Sequence, residues 1–265
     1  MAQITKITAQ KRRGRYNIFL DGQYAFPVSE TTLVTYHLAK GMTLTADMIA
    51  QIKDSEVVAM GLEIGLNYIT HQSRTRQEVR ERLEKEELPE DVIGQILTRL
   101  TELGFLDDVD YVKRYLEADL KMGDTGPRIV QYKLRQKGIA TELLADQLAG
   151  IESDEWTAVA VRAGQKNLRH HQNRAYKDQL QRLRVNLMQK GFDEATIQAA
   201  IAKLDPQPDP EAELTMLKTE AEKQWRLKQR YDERTRKQKV KTALFRKGFD
   251  LAAIDDVLSE LVDES

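Results

Sequence analysis

Cysteine is absent from the 265 residues. That excludes a disulfide framework, a thiolate metal site and a thiol nucleophile, and it fits a reducing compartment. Net charge is nearly absent as well: 41 Lys plus Arg stand against 42 Asp plus Glu, so nothing in the total points to a polyanionic partner. No apolar run approaches the roughly 18 residues needed to span a membrane. Residues 1–10 are polar and alternating rather than charged and then apolar, as a signal peptide would be. The cytoplasm is the expected compartment, with no membrane partner. Aromatic residues make up only 6%, against 41% apolar and 31% charged. That mix suits helices with one buried stripe and charged outer faces.

Signatures of catalysis are missing too. Gly123-Asp124-Thr125-Gly126-Pro127 lacks the following Lys-Ser/Thr of a phosphate-binding loop and reads as a helix-breaking turn. His170 and His171 are adjacent, so on a helix they point about 100° apart, and no third metal ligand is evident. Ser, His and Asp occur without a nucleophile elbow. The expectation is a protein without catalytic residues, metal or cofactor.

The positive signals begin at the N-terminus. Two β-rich runs, residues 15–20 and 23–27, flank Asp21-Gly22, a pair suited to a type I′ hairpin turn. With the alternating residues 4–8 they predict a three-stranded sheet. Ser29 then caps a short helix to about Tyr36, and Thr45 opens a helical body.

Beyond residue 53 the helices repeat. Glu87, Gly138, Gly191 and Gly248 align at spacings of 51, 53 and 57. Eight positions earlier stand Val79, Val130, Leu183 and Val240; four earlier, Leu83, Leu134, Leu187 and Leu244. Apolar residues also fill the columns one, six, ten and thirteen positions later, from Leu88, Ile139, Phe192 and Phe249 to Leu100, Ile151, Leu204 and Leu261. Chance agreement over all six columns is on the order of one in a billion before allowance for helical periodicity, so the repeat is accepted. Each copy is a helix-turn-helix hairpin with a further helix ahead of it: roughly 55–70, 108–121, 154–169 and 211–229. Glycine suits the turn because the residue after a helix end often takes the left-handed conformation. Glu87 breaks that pattern; Pro89, early in the next helix, offsets it.

The fold expected is mainly α: an elongated array of tandem three-helix, helix-turn-helix-like repeats behind a small β segment. The boundaries read 1–53 for the β segment, then 54–104, 105–151 and 152–205 for three repeats. A Pro-rich linker and a fourth repeat take 206–265, and the linker suggests that the fourth copy swings as a body.

Cations fall into columns. Lys137, Lys190 and Lys247 precede the turn, where a cation complements the helix dipole. Arg80, Arg184 and Lys241 lie seven places before it, with no dipole explanation. Arg74 and Arg76 add charge at the first hairpin, and Arg234, Arg236, Lys237 and Lys239 at the last. From Trp225 to Lys247 there are ten basic and two acidic residues. These positions are candidates for binding a partner; a solvated helix face is the alternative.

The strings Ser73-Arg74-Thr75-Arg76-Gln77-Glu78-Val79 and Gly104-Phe105-Leu106-Asp107-Asp108-Val109-Asp110-Tyr111-Val112 are followed by Lys137-Gly138-Ile139 and by Lys-Gly-Phe at 190–192 and 247–249. In that order, on a three-helix repeat, the chain resembles the RecX regulatory protein family, in its longer, Gram-positive form. The resemblance implies a monomeric regulator of the RecA recombinase. Such a protein lodges in the groove of the RecA filament on DNA and limits recombination, ATP hydrolysis and SOS co-protease activity in DNA repair. A protein that binds single- or double-stranded DNA through phosphate contacts, without a RecA-specific interface, is the competing expectation. A general helical scaffold of the tetratricopeptide kind would show a 34-residue period, which is absent.

Overall fold

The computed structural model describes residues 1–263. Strands β1 (Ala2–Ala9), β2 (Arg15–Leu20) and β3 (Gln23–Ser29) form the predicted meander, and a fourth, β4 (Thr43–Leu44), joins its edge. The order is β3-β2-β1-β4, all antiparallel. Asp21 and Gly22 take φ of 49° and 85°, as a type I′ turn requires. The two residues of β4 pair with Ala2 and Gln3 and are too few to leave a period in the sequence. Ser29 caps α1 (Glu30–Thr35), its hydroxyl accepting from the Thr32 amide.

Helix α2 (Ala46–Thr70) starts nine residues before the expected 55, at a Thr45 cap that accepts from the Met48 amide. Its first turns pack against the sheet rather than a hairpin: Ile52 is fully buried with Ile4, Ile18, Phe26, Val28, Leu38 and Leu44. That is why residues 46–54 carry none of the repeat's pattern. Glu56, one turn on, is buried and binds the Arg15 guanidinium, and its other oxygen accepts from the Ser29 amide at 2.7 Å. A buried carboxylate needs such partners, and this one ties α2 to two strands.

Eleven further helices follow: α3 (Arg76–Glu84), α4 (Glu90–Glu102), α5 (Asp108–Met122), α6 (Pro127–Gln136), α7 (Thr141–Ala149), α8 (Ser153–His170), α9 (Tyr176–Gln189), α10 (Glu194–Leu204), α11 (Pro210–Leu227), α12 (Glu233–Arg246) and α13 (Leu251–Asp263). The fold is mainly α, in helix triplets. The two apolar columns of the middle helices, α3, α6, α9 and α12, are fully buried in every copy, and no member of the other four columns is exposed. Among the described residues no helix is long and apolar enough to cross a membrane.

The chain divides into two compact units. One comprises Met1–Arg114 with Leu134–Leu143; the other, Tyr115–Lys133 and the residues from Leu144 on. In the first, α4 closes on α2 where Gly61 and Gly65 leave no side chain; a Cβ on Gly61 would lie 2.2 Å from Ile96 Cδ1. In the second, the last triplet does not hang free on its linker as expected. Ala175, at the start of α9, sits in the core formed by Leu217, Trp225, Leu244, Phe249 and Leu258. The Tyr176 hydroxyl donates to the Pro206 carbonyl at 2.8 Å, and Lys177 pairs with Asp250 at 3.0 Å. Stiff prolines set the path of the linker, but burial of these side chains holds the triplet.

Candidate partner-binding surfaces

The turn of each later hairpin packs onto the first residues of the preceding triplet's middle helix. A Cβ on Gly138 would stand 2.2 Å from Gln77 Cβ, one on Gly191 2.8 Å from the Ile129 amide nitrogen, and one on Gly248 2.8 Å from the Asp178 amide nitrogen. All three glycines have φ between 77° and 90°. Glycine is therefore required twice over, by conformation and by close approach. Glu87 also has positive φ, 59°, but it is exposed, so the first turn tolerates a side chain that the others exclude.

Polar contacts secure these joints. Thr75 Oγ1 donates to the Lys137 carbonyl at 2.7 Å while accepting from the Glu78 amide, and Glu78 returns a bond to the Thr75 amide in a capping box. The Gly126 amide donates to the Lys190 carbonyl at 2.7 Å. The lysines before the turns find carboxylates as well as a helix end. Lys137 meets Glu78 at 2.7 Å, Lys190 meets Asp124 at 3.1 Å and Lys247 meets Glu220 at 2.7 Å. Burial alone would raise the Glu78 carboxyl, but the Lys137 ammonium, the Thr75 amide and Arg74 outweigh it and hold the group below the usual glutamate range. The same balance lowers Asp124 through Lys190 and Lys166.

The second cation column is internal as well. Arg80 pairs with Glu90, Arg184 with Glu194 at 3.5 Å, and Lys241 with both oxygens of Asp255 at 2.6 Å. Each is a brace between the two helices of one hairpin, an account that the sequence columns did not supply because the acidic partners sit at unequal offsets. Arg74 lies over the Tyr68 ring, 4.4 Å from its centroid, and near Glu78 at 3.8 Å. Arg76 donates its amide to Asp108 and its guanidinium to the Thr101 hydroxyl, at 2.9 and 3.0 Å. Arg236 covers the Trp225 ring at 4.0 Å and donates to the Trp225 carbonyl.

Arg234, Lys237 and Lys239 are different. Together with Arg226 and Arg230 they form no ion pair among the described residues, while Asp232 is occupied capping α12. Tyr231 stands among them, with Arg230 at 4.9 Å and Lys239 at 4.7 Å from its ring centroid. The Arg230 hydrogen bond, followed by the charges of Arg230, Lys239 and Lys228, pulls the phenol below its ordinary range. The α11–α12 corner is thus a patch of positive potential around an aromatic ring. Outward apolar side chains recur on the middle helices of the same unit: Tyr132, Met188 and Phe245 are each more than half exposed.

Comparison with known proteins places this arrangement. A family model described as the regulatory protein RecX N-terminal domain matches residues 2–45. Models of the first and third three-helix domains of RecX match 62–100 and 211–258. A regulatory protein RecX from Lacticaseibacillus casei is 72% identical over 263 residues, covering 99% of this chain and all of that one. Another from Levilactobacillus brevis is 38% identical over 261 residues, 98% of each chain. The crystal structure of a regulatory protein RecX superposes with a TM-score of 0.65 at 32% identity, over 78% of this chain and all of that chain. That of RecX from Lactobacillus salivarius gives 0.53 at 26% identity, over 57% of this chain and 98% of that one. With the sheet, the helix triplets and the end-to-end identity in agreement, the chain belongs to the RecX family of regulatory proteins.

Proposed function

We propose that this protein regulates a RecA recombinase by binding in the groove of its filament on DNA, limiting recombination, ATP hydrolysis and SOS co-protease activity. The reading is carried by the match, over nearly the whole chain, to proteins named as RecX regulators. In this reading the protein acts as a cytoplasmic monomer with no catalytic residues of its own. The triplets over 54–104, 105–151, 152–205 and 206–265 are its contact modules. Of the cations offered by the sequence, Arg234, Lys237 and Lys239 are those still free to meet an acidic protein surface or a phosphate; Arg74, Arg76, Arg80, Arg184, Arg236 and Lys241 act first as internal braces.

A second reading, direct binding to DNA, is favoured by the unpaired cations around Tyr231, since aromatic rings beside phosphate-binding cations suit single strands. RecA-catalysed ATP hydrolysis on single-stranded DNA, titrated with this protein at two salt concentrations, separates the two. Inhibition at well under one protein per RecA that survives the higher salt supports the filament regulator. Inhibition that fades with salt by about 0.7 log units per phosphate contact, and follows DNA coverage, supports the second reading. Replacing Arg234, Lys237 and Lys239 with Gln weakens inhibition in either case and leaves helical circular dichroism intact.

A further inference from the structure

The groove between α8 and α9 contains a cavity of about 400 Å³, lined by Asn167 and His171 on one side and by Gln181, Arg182, Asn186 and Gln189 on the other. Three buried side-chain polar atoms among the described residues lack a hydrogen-bond partner, and two of them are the Oδ1 atoms of Asn167 and Asn186. Buried acceptors are ordinarily satisfied, so two dry carboxamide oxygens in one groove call for a donor from outside the chain. Beside them, Arg174 at 3.1 Å and Arg182 at 2.8 Å share the single carboxylate of Asp178, which leaves a surplus of positive charge. The His171 imidazole is held below its ordinary range by burial and then by Arg174 and Arg182, as expected where the local potential is positive.

We propose that this groove binds an extended, acidic peptide segment of a partner protein, with Asn167 and Asn186 reading its backbone and Arg182 its carboxylates. A carboxamide carries an acceptor and two donors, so after a modest turn of its amide it complements both the N–H and the C=O of an extended chain. A phosphate backbone brings acceptors only and leaves the two oxygens unmet. The inference does not depend on the filament reading, because it specifies the chemistry of the segment and not the protein that carries it.

The test is fluorescence anisotropy of a labelled, unstructured peptide alternating Glu and Ser, titrated with the full chain at low salt. Saturable binding is expected, weakened about tenfold or more in the double variant Asn167→Leu/Asn186→Leu and unchanged in Arg184→Gln, which lies outside the groove. The double variant is expected to melt no lower than the parent, since carboxamide oxygens that bond nothing in the free protein are not missed. Arg182→Glu, a change at a half-exposed position, is expected to abolish binding while retaining the parent circular dichroism. The proposal is overturned by absence of saturable binding, by equal affinity in the double variant, or by oligothymidylate displacing the peptide from the parent and the double variant alike.

Discussion

Glu87, Gly138, Gly191 and Gly248 occupy one column and share one backbone conformation, yet only the glycines have a neighbouring helix end against their Cα. A left-handed non-glycine residue costs about 1–2 kcal/mol, partly offset by the greater chain entropy of glycine when unfolded. Glu87→Gly is therefore expected to stabilise the protein by about 0.5–1 kcal/mol, read as a higher urea midpoint. Gly191→Ala is expected to cost about 2 kcal/mol or more, because it adds conformational strain to a contact with the backbone of Ile129. If the two substitutions proved equally mild, the packing of turn on helix end would not be what selects glycine. The sequence exposed the column and its one exception; the reason for the exception lies in which turns are covered.

At the scale of elements, the joint between the α6–α7 turn and the start of α3 is held by the Thr75, Glu78 and Lys137 network. Because the folded Glu78 carboxyl lies below its ordinary value of 4.5, its contribution is complete above that pH and is lost as pH falls through the depressed value. Lys137 is shifted upward, so its side of the pair is lost only at pH beyond the ordinary lysine value of 10.5. Glu78→Gln keeps a capping side chain and removes the charge. It is expected to lower stability by about 1 kcal/mol at neutral pH, the figure being held down by solvent screening of a partly exposed pair. Below about pH 4 the variant and the parent should converge; a gap that persists in chemical denaturation at acid pH would assign the loss to packing instead. The helices were legible from their 3.6-residue apolar period and their caps. The brace formed by Arg80, Arg184 and Lys241 was not, since a cation beside an apolar stripe looks the same whether its partner is the next helix or another protein.

For the whole chain, the instructive segment is 206–265. Three prolines in Asp205-Pro-Gln-Pro-Asp-Pro210 suggest a hinge, but Ala175 inserts into the core of the last triplet and Gly248 abuts Asp178. A chain ending at Asp205 is expected to keep the helicity of its remaining residues, to melt at a lower temperature because Ala175 and Tyr176 lose their cover, and to inhibit RecA more weakly. Thermal melts followed by circular dichroism, with the ATPase titration alongside, check each part. An aggregated product would instead make the last triplet part of one indivisible core with α8, α9 and α10.

Period, composition and turn chemistry were enough to determine the mainly helical class, the hairpin after β2, the four helix-turn-helix copies and, through ordered strings of residues, the family. These features are encoded by neighbours within a few turns of one another, where side-chain spacing translates directly into a face or a cap. Pairings across many residues were decided only by tertiary structure. The carboxylate of Glu56 between two strands, the turn glycines against helix ends, the division of cations into braces and free groups, and the meeting of Asn167 with Asn186 all depend on close approach between distant segments. An alternating or helical period specifies which face is buried but not which charged residue lies opposite, because a long side chain can satisfy its charge in several directions at nearly equal cost.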